Sequence, residues 1–327
     1  MNILEVTDLK VYYDTIKGVV KAVDGADLVV EKGKSVGLAG ESGCGKTTLG
    51  LSFLKLLASN GRIVSGVMKF EETDVYKLDD KKFREDVRWS QISMIFQGAM
   101  NALNPVFKVE DQIAEAIKLH DKTKKKKKER LQIARDLLKK VDIDPVMGSH
   151  YPHEFSGGMR QRAMVAMALA CDPQLIIADE PTTALDVIVQ KQLMDLLRRL
   201  KEEMNLSLVV ISHDISVLAE LCDYLNIMYA GRIVEWGEIG EIFTNPQHHY
   251  THGLISTFPT VEDKERKQKF EFIEGSPPNL LEPPMGCRFH PRCTRATDIC
   301  RKDPAPEMLA LSDVHRVACH HPRGDSE

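Results

Sequence analysis

"GESGCGKT" occupies residues 40–47. It reads as glycine, four residues, then Gly-Lys-Thr. Before it runs the apolar stretch "SVGLAG" (35–40); after it "KTTLGLSFLKLL" (46–57) has helical periodicity. A strand, a glycine-rich turn and a helix in that order form a cradle for phosphate. Glycines let backbone N–H groups turn inward around an anion, and the helix start adds a partial positive charge. Lys46 is long enough to reach β- and γ-phosphates, and the Thr47 hydroxyl suits Mg²⁺. The binding set read from this stretch is Gly40, Glu41, Ser42, Gly43, Cys44, Gly45, Lys46, Thr47 and Thr48.

A second stretch complements it. "LIIADE" (175–180) is an apolar strand with Asp179 and Glu180 at its carboxyl end, where ligands bind in open α/β sheets. Asp179 suits Mg²⁺, directly or through water. Glu180, one residue on, points elsewhere and can act on an attacking water as general base. Outward from these two strands the pattern alternates. "QISMIFQ" (91–97) and "LSLVVISHD" (206–214) read as strands, with "VIVQKQLMDLLRRLKEEM" (187–204) as a helix. Alternating strands and helices predict a mostly parallel sheet covered on both faces. Residues 1–34 read as a small antiparallel sheet, about 98–172 as helical, and "YLNIMYAGRIVEWG" as a hairpin turned at Ala230-Gly231.

Composition narrows the class. The chain has 327 residues, 43% hydrophobic and 28% charged, with a formal net charge of −4. That suits a large globular domain with an appendage and supplies no global basic field for nucleic acid. The apolar runs are too short to cross a bilayer. "MNILEVTDLK" lacks the basic start and apolar stretch of a signal peptide, so a cytosolic chain is expected. "DKTKKKKKER" (121–130) joins two amphipathic helices and reads as a solvated linker or helix start, with anionic lipid or nucleic acid as the other readings.

Further residues gain meaning by their order. Singly, Gln97 is a polar strand end, His213 a helix cap or core histidine, Tyr13 sheet packing and Asp186 a helix N-cap. Together, over the first 245 residues, they resemble the ATP-binding cassette family. "FSGGMRQR" (155–162) is similar to the family signature, with Ser156, Gly157 and Gly158 in place. It departs at Phe155, usually Leu, and at Met159, usually Gln. The resemblance implies a P-loop NTPase fold of the cassette type: a mixed, mostly parallel core sheet with an antiparallel β subdomain and a helical subdomain. It implies that Gln97 is the Q-loop residue and an Mg²⁺ ligand with Thr47 and Asp179. "TALD" (183–186) gives the D-loop Asp186, and His213 the switch histidine. Tyr13, ahead of Tyr12, would stack on adenine. Glu180, His213 and Gln97 form the implied catalytic set. Family members sandwich ATP between the phosphate loop of one cassette and the signature of another, so a second cassette, expected to be a paralogue, is implied.

"VYYDTIKGVVKAVDGADLVVEKGKSVGLAGESGCGKTT" and "GEIFTNPQHHYTHGLISTFP" are similar to oligopeptide/dipeptide importer ATPases. Their His-Pro-Tyr-Thr pattern reads here His249-Tyr250-Thr251, without the proline. Such importers pair with two separate transmembrane permease subunits and, indirectly, an extracytoplasmic solute-binding protein. The chain would then sit peripherally on the cytoplasmic face of the membrane. Near 245 the composition shifts to proline ("SPPNLLEPP") and charge ("VEDKERKQK"), which predicts a nucleotide-binding domain over 1–245 and an extension over 246–327. "GCRFHPRC" (286–293) is followed by Cys300 and Cys319. Cys287, Cys293, Cys300 and Cys319 are thus separated by five, six and eighteen residues. Four thiolates can hold zinc or an iron–sulfur cluster. The resemblance favours a 4Fe–4S cluster, with Zn²⁺ as the alternative and a packed tail of free thiols as the plainest reading. His290, His315, His320 and His321 are close enough in sequence to substitute or support. Cys44, Cys171 and Cys222 read as packing residues.

The expected function is ATP hydrolysis coupled to peptide import. The competing readings are a soluble cassette ATPase acting on nucleic acid, an importer ATPase for nickel or another small solute, and a non-catalytic cassette.

Overall fold

The computed structural model describes residues 1–98, 102–120, 123–256 and 273–324. The charged run at 261–269 lies outside the described residues. In chain order the structure contains β1 (Asn2–Thr15), β2 (Gly18–Glu31), β3 (Ser35–Ala39), α1 (Lys46–Ser52), β4 (Gly61–Phe70), β5 (Thr73–Asp74) and a single turn, α2 (Asp80–Lys82). Then come β6 (Ile92–Ile95), α3 (Val109–His120), α4 (Lys127–Lys140), α5 (Gly157–Ala168), β7 (Leu175–Asp179), α6 (Val187–Met204) and β8 (Ser207–Ile211). The chain continues through α7 (Ile215–Leu221), β9 (Tyr224–Tyr229), β10 (Arg232–Glu238), α8 (Ile239–Thr244), α9 (His249–Ser256), β11 (Leu309–Ser312) and β12 (His315–Val317). Two units emerge, each assembled from several segments.

The first unit comprises Met1–Leu4, Val30–Ser35 and Lys69–Ile211. Its core is a parallel ladder, with Ile92 opposite Leu175, Ile177 opposite Val209 and Asp179 opposite Ile211. Every residue of β6, β7 and β8 is buried, as expected of strands covered on both faces. Helix α6 turns Leu193, Met194, Leu196, Leu197 and Leu200 inward. It starts at Asp186, whose carboxylate accepts the Val189 N–H at 2.9 Å, and ends at Asn205 in the left-handed conformation. Helices α3, α4 and α5 form the helical layer. Glu110 of α3 is buried and meets Arg135 of α4 through two hydrogen bonds at 2.7 and 3.3 Å. The lysine-rich run opens α4: Lys126 is its N-cap, and Glu129 accepts the Lys126 N–H at 2.8 Å.

The second unit comprises Glu5–Val29, Val36–Met68 and Ser212–Glu327. It holds the expected antiparallel region, with β2, β1 and β4 as neighbours in that order. Its other sheet runs β11, β12, β10, β9, β3. Strand β3 is parallel to β9, with Val36 opposite Tyr224 and Ala39 opposite Ile227. The β9–β10 hairpin turns at Ala230 and Gly231, whose φ values are 47° and 85°. Two left-handed residues in succession match the strand twist. The composition shift near 245 does not end this sheet, because β12 pairs with β10, Glu235 opposite Val317 and Gly237 opposite His315. Strands of three and four residues are too short to leave an alternating pattern in the sequence. Helix α1 is also shorter than the periodicity of 46–57 predicts. Lys55 takes φ 49° just beyond it, and the Leu54 and Leu56 N–H groups both return to the Leu51 carbonyl.

Candidate functional site

The loop read from the sequence as the phosphate loop follows β3, and its conformation depends on glycine at two places. Gly40 has φ 148°, and a Cβ there would stand 2.1 Å from the Met228 carbonyl oxygen. Gly45 has φ 109°, and its Cβ would stand 2.1 Å from the Ala22 carbonyl oxygen. No L side chain fits either position. Lys46 is buried. Its Nζ donates to the carbonyls of Gly40 at 2.7 Å and Glu41 at 3.0 Å, and approaches Cys44 Sγ at 3.7 Å. The ammonium thus lies along the loop that it would share with phosphate oxygens. Cys44 is buried, and burial raises its thiol pKa, in keeping with a packing role. The Gly231 N–H donates to the Cys44 carbonyl at 2.8 Å, so the hairpin braces the loop from outside.

The two candidate tyrosines have different surroundings. The Tyr12 hydroxyl donates to Asp24 Oδ1 at 2.5 Å, and burial followed by the Asp24 contact pushes its pKa up to about 12. Arg288, between two of the cysteines, pairs with Asp24 Oδ2 and with the Ala230 carbonyl. Burial would raise the Asp24 carboxyl. The Tyr12 hydrogen bond and the charges of Arg288 and Arg232 outweigh it and hold the group below its usual range. Tyr13 is half-buried, and its hydroxyl lies 3.4 Å from Thr48 Oγ1. Tyr12 is therefore committed to an internal network, while Tyr13 stands beside the phosphate-loop helix.

The other unit carries the acidic strand end. Asp179 is buried at the close of β7. Glu180 takes φ 46°, a left-handed conformation uncommon for a residue with a side chain. It is held there by its N–H to the Ile211 carbonyl at 2.8 Å. Its Oε2 accepts from Gln97 Nε2 at 3.1 Å and from Thr183 Oγ1 at 2.9 Å. Gln97 and Glu180, 83 residues apart, are thus brought together, with the Gln97 amide oxygen turned to the opposite side of that amide. Ser156 caps α5, its Oγ accepting the Met159 N–H at 3.2 Å. Gly157 and Gly158 open that helix; a Cβ on Gly158 would stand 2.7 Å from Val189 Cγ1. Asp186 is the N-cap of α6, as its plainest reading predicts. His213 is exposed after β8 and is not the cap of α7; Asp214 fills that role, accepting the Ser216 N–H at 2.9 Å.

Cys287, Cys293, Cys300 and Cys319 line one small pocket together with His248, His249, Phe289, His290, Arg295, His320 and His321. Burial pushes the Cys287 thiol up to about 11 and Cys319 up to about 12, and the neighbouring sulfurs add to both shifts. A bound cation reverses that sign by stabilising thiolate. His248 Nε2 and His320 Nε2 are buried without a hydrogen-bond partner. Among the described residues, however, no group of three or more His, Cys, Asp or Glu side chains is placed to hold a single metal ion. Of the histidines named from sequence, His290 Nδ1 lies 2.9 Å from the Cys287 carbonyl and His321 Nε2 lies 2.8 Å from Thr297 Oγ1. His315 is directed elsewhere, its Nε2 2.7 Å from Glu235 Oε1. Sequence reasoning missed His248, Glu235, Arg288 and Arg292. Glu235, Arg288 and Arg292 act through partners distant in the chain, His248 through its burial, and no local pattern marks any of them.

The chain matches two protein families. Residues 23–183 match "ABC transporter", and residues 234–300 match "Oligopeptide/dipeptide transporter, C-terminal region". It is 43% identical to the oligopeptide transport ATP-binding protein OppD of Salmonella typhimurium, over 98% of this chain and 94% of that one. It is 40% identical to the oligopeptide transport ATP-binding protein AppD of Bacillus subtilis, over 97% and 96%. The fold is similar to the dimeric ATP-binding cassette MJ0796 in a post-hydrolysis state bound to ADP and Pi. The TM-score is 0.64 at 26% identity, over 72% of this chain and 98% of that one.

Proposed function

The chain belongs to the ABC transporter family, and from that premise we propose that it is the ATP-hydrolysing, energy-coupling subunit of an importer for di- and oligopeptides. The observation that carries this reading is the near full-length similarity to oligopeptide transport ATP-binding proteins, cassette and C-terminal region together. That span also weighs against a nucleic-acid ATPase or a nickel importer. The reading divides the chain into a nucleotide-binding domain over 1–245, with its helical insert at about 98–172, and an extension over 246–327. The partners are a second cassette subunit, expected to be a paralogue, two membrane permeases and, indirectly, a solute-binding protein. Among the described residues no helix is long and apolar enough to cross a membrane, so membrane attachment on the cytoplasmic face would come through the permeases.

In this reading Tyr13 stacks on adenine, and the backbone from Gly40 to Thr48 wraps the phosphates. Lys46 exchanges its loop carbonyls for phosphate oxygens. Thr47, Gln97 and Asp179 offer oxygen donors, the ligand type that Mg²⁺ prefers. Mg²⁺ supplies charge neutralisation at the β- and γ-phosphates. Glu180 accepts a proton from the attacking water, and its hydrogen bonds from Gln97 and Thr183 orient the carboxylate for that task. His213 contacts the γ-phosphate. Ser156, Gly157, Gly158 and Asp186 serve the partner cassette's nucleotide. Glu180→Gln keeps the shape and removes the base. With the partner subunits present, it should lower hydrolysis by about a hundredfold or more while ATP binding persists. Wild-type turnover in that variant would remove Glu180 from the mechanism.

The cysteine pocket fits a group bound by four thiolates. A 4Fe–4S cluster and a structural zinc site would each take four cysteine thiolates. The four thiols line one pocket, and the resemblance to peptide-importer ATPases favours the cluster over Zn²⁺ there. Cys287, Cys293, Cys300 and Cys319 would hold it. It would supply a covalent staple to a segment poor in apolar residues.

A further inference from the structure

Glu41 is an anomaly within the phosphate loop. Its carboxylate lies beside the backbone that must receive a polyanion, and two negative groups at such range repel. The structure places a cation on it. Arg292 Nη1 donates to Glu41 Oε2 at 2.7 Å and Nη2 to Oε1 at 3.0 Å, a two-pronged pair. The Arg292 side chain is only 6% exposed and that of Glu41 25%, so solvent screens the pair weakly. The rest of the guanidinium is fixed too. Nε donates to the Glu274 carbonyl at 2.9 Å, Nη2 approaches the Gly275 carbonyl at 3.3 Å, and Nη1 approaches the Tyr229 hydroxyl at 3.3 Å.

Glu41 is held at its backbone as well. Its N–H donates to the Tyr250 hydroxyl at 2.8 Å, and its carbonyl accepts from Lys46. Tyr250 packs with Tyr229 and Phe289, ring centroids 4.6 and 5.4 Å away. Phe289 and Arg292 both lie on the short segment between Cys287 and Cys293. One face of the phosphate loop therefore rests on the cysteine-bearing turn through a charge and an aromatic layer.

We propose that Arg292 is a positioning residue for the phosphate loop: it neutralises and orients Glu41, so the cysteine-bearing turn sets the affinity of the loop for ATP. The proposal rests on the reading of residues 40–47 as the phosphate site. Binding of a fluorescent ATP analogue with Mg²⁺ to the full-length chain separates the two, with Lys46→Ala as the reference. If the wild-type chain binds no better than Lys46→Ala, the phosphate-site reading itself fails. If it does bind, Arg292→Gln should weaken affinity by about tenfold or more, because it leaves an uncompensated carboxylate on the loop that receives the phosphates. Glu41→Gln should tighten binding, and the double variant Glu41→Gln/Arg292→Gln should return to within about threefold of wild type, since removing both charges removes the repulsion. A role confined to holding the fold would make all three variants weak, with no recovery in the double variant, and would overturn the proposal. So would unchanged affinity in Arg292→Gln. Should Arg292→Gln fail to fold, Arg292→Lys takes its place. It keeps the charge, loses the fork and should bind more weakly unless Glu41→Gln is added. Wild-type affinity in Arg292→Lys alone would then reject the proposal.

Discussion

At the scale of the residue, His248 shows how burial sets a protonation state. The Tyr250 N–H donates to its Nδ1 at 3.1 Å, which places the ring proton on Nε2. Burial pushes its pKa down to about 4, against a smaller opposing pull from Glu235. Glu235 is itself fully buried; its oxygens accept the Gln247 and His248 N–H groups at 2.7 and 2.8 Å and meet His315. Because the folded pKa of His248 lies below the unfolded value of about 6.5, the unfolded chain binds more protons between the two. Stability from this group is complete above about pH 6.5 and is lost as pH falls toward 4, by about 3 kcal/mol in all. Urea unfolding midpoints of the wild-type chain should fall across that window. In His248→Asn, which keeps an acceptor for the Tyr250 N–H, the fall should be shallower. Identical slopes would show that His248 does not drive the acid sensitivity.

At the scale of the element, caps and turns decide where helices begin and strands end. Asp186 was readable as an N-cap and as a D-loop residue, and the structure places its carboxylate on the Val189 N–H. Capping and contact with a partner cassette can coexist in one side chain, and substitution can separate them. Asp186→Ala should cost about 1 kcal/mol of stability in the chain alone, whereas Asp186→Asn caps nearly as well. Denaturant titration measures this directly; equal losses in both variants would place the contribution in the charge rather than the cap. The long periodic helices were legible because α6 repeats apolar residues at helical spacing, with Leu193, Leu196, Leu197 and Leu200 buried on one face. Helix α1 was overread because Lys55 turns the chain away after Phe53, and a hydrophobic pattern does not register a left-handed residue.

At the scale of the whole molecule, the C-terminal stretch reads as an appendage, yet its strands complete a sheet with β10 and its Arg292 braces the glycine-rich loop at Glu41. The proposed cluster belongs to this scale because it would tie together cysteines spread from 287 to 319. Anaerobically purified chain should carry about four irons with visible absorbance. Cys293→Ser should lose both and lower the thermal midpoint. One zinc per chain would replace the cluster by a staple of another metal, and a metal-free chain of equal stability would return the four thiols to simple packing.

The sequence alone marked the glycine-rich loop, the acidic strand end, the Ser-Gly-Gly helix start and the order of strands and helices. These rest on local chemistry: glycines where the backbone must turn, lysine and carboxylates at fixed spacing, periods of 3.6 and 2. The set of four cysteines was equally legible. Only the tertiary structure separated Tyr12 from Tyr13, joined Gln97 to Glu180, turned His315 away from the cysteines and placed Arg292 on Glu41. Those pairings span from 12 to 251 residues of chain. Such a contact depends on where the packed core brings two distant backbones, and no spacing within either segment encodes it.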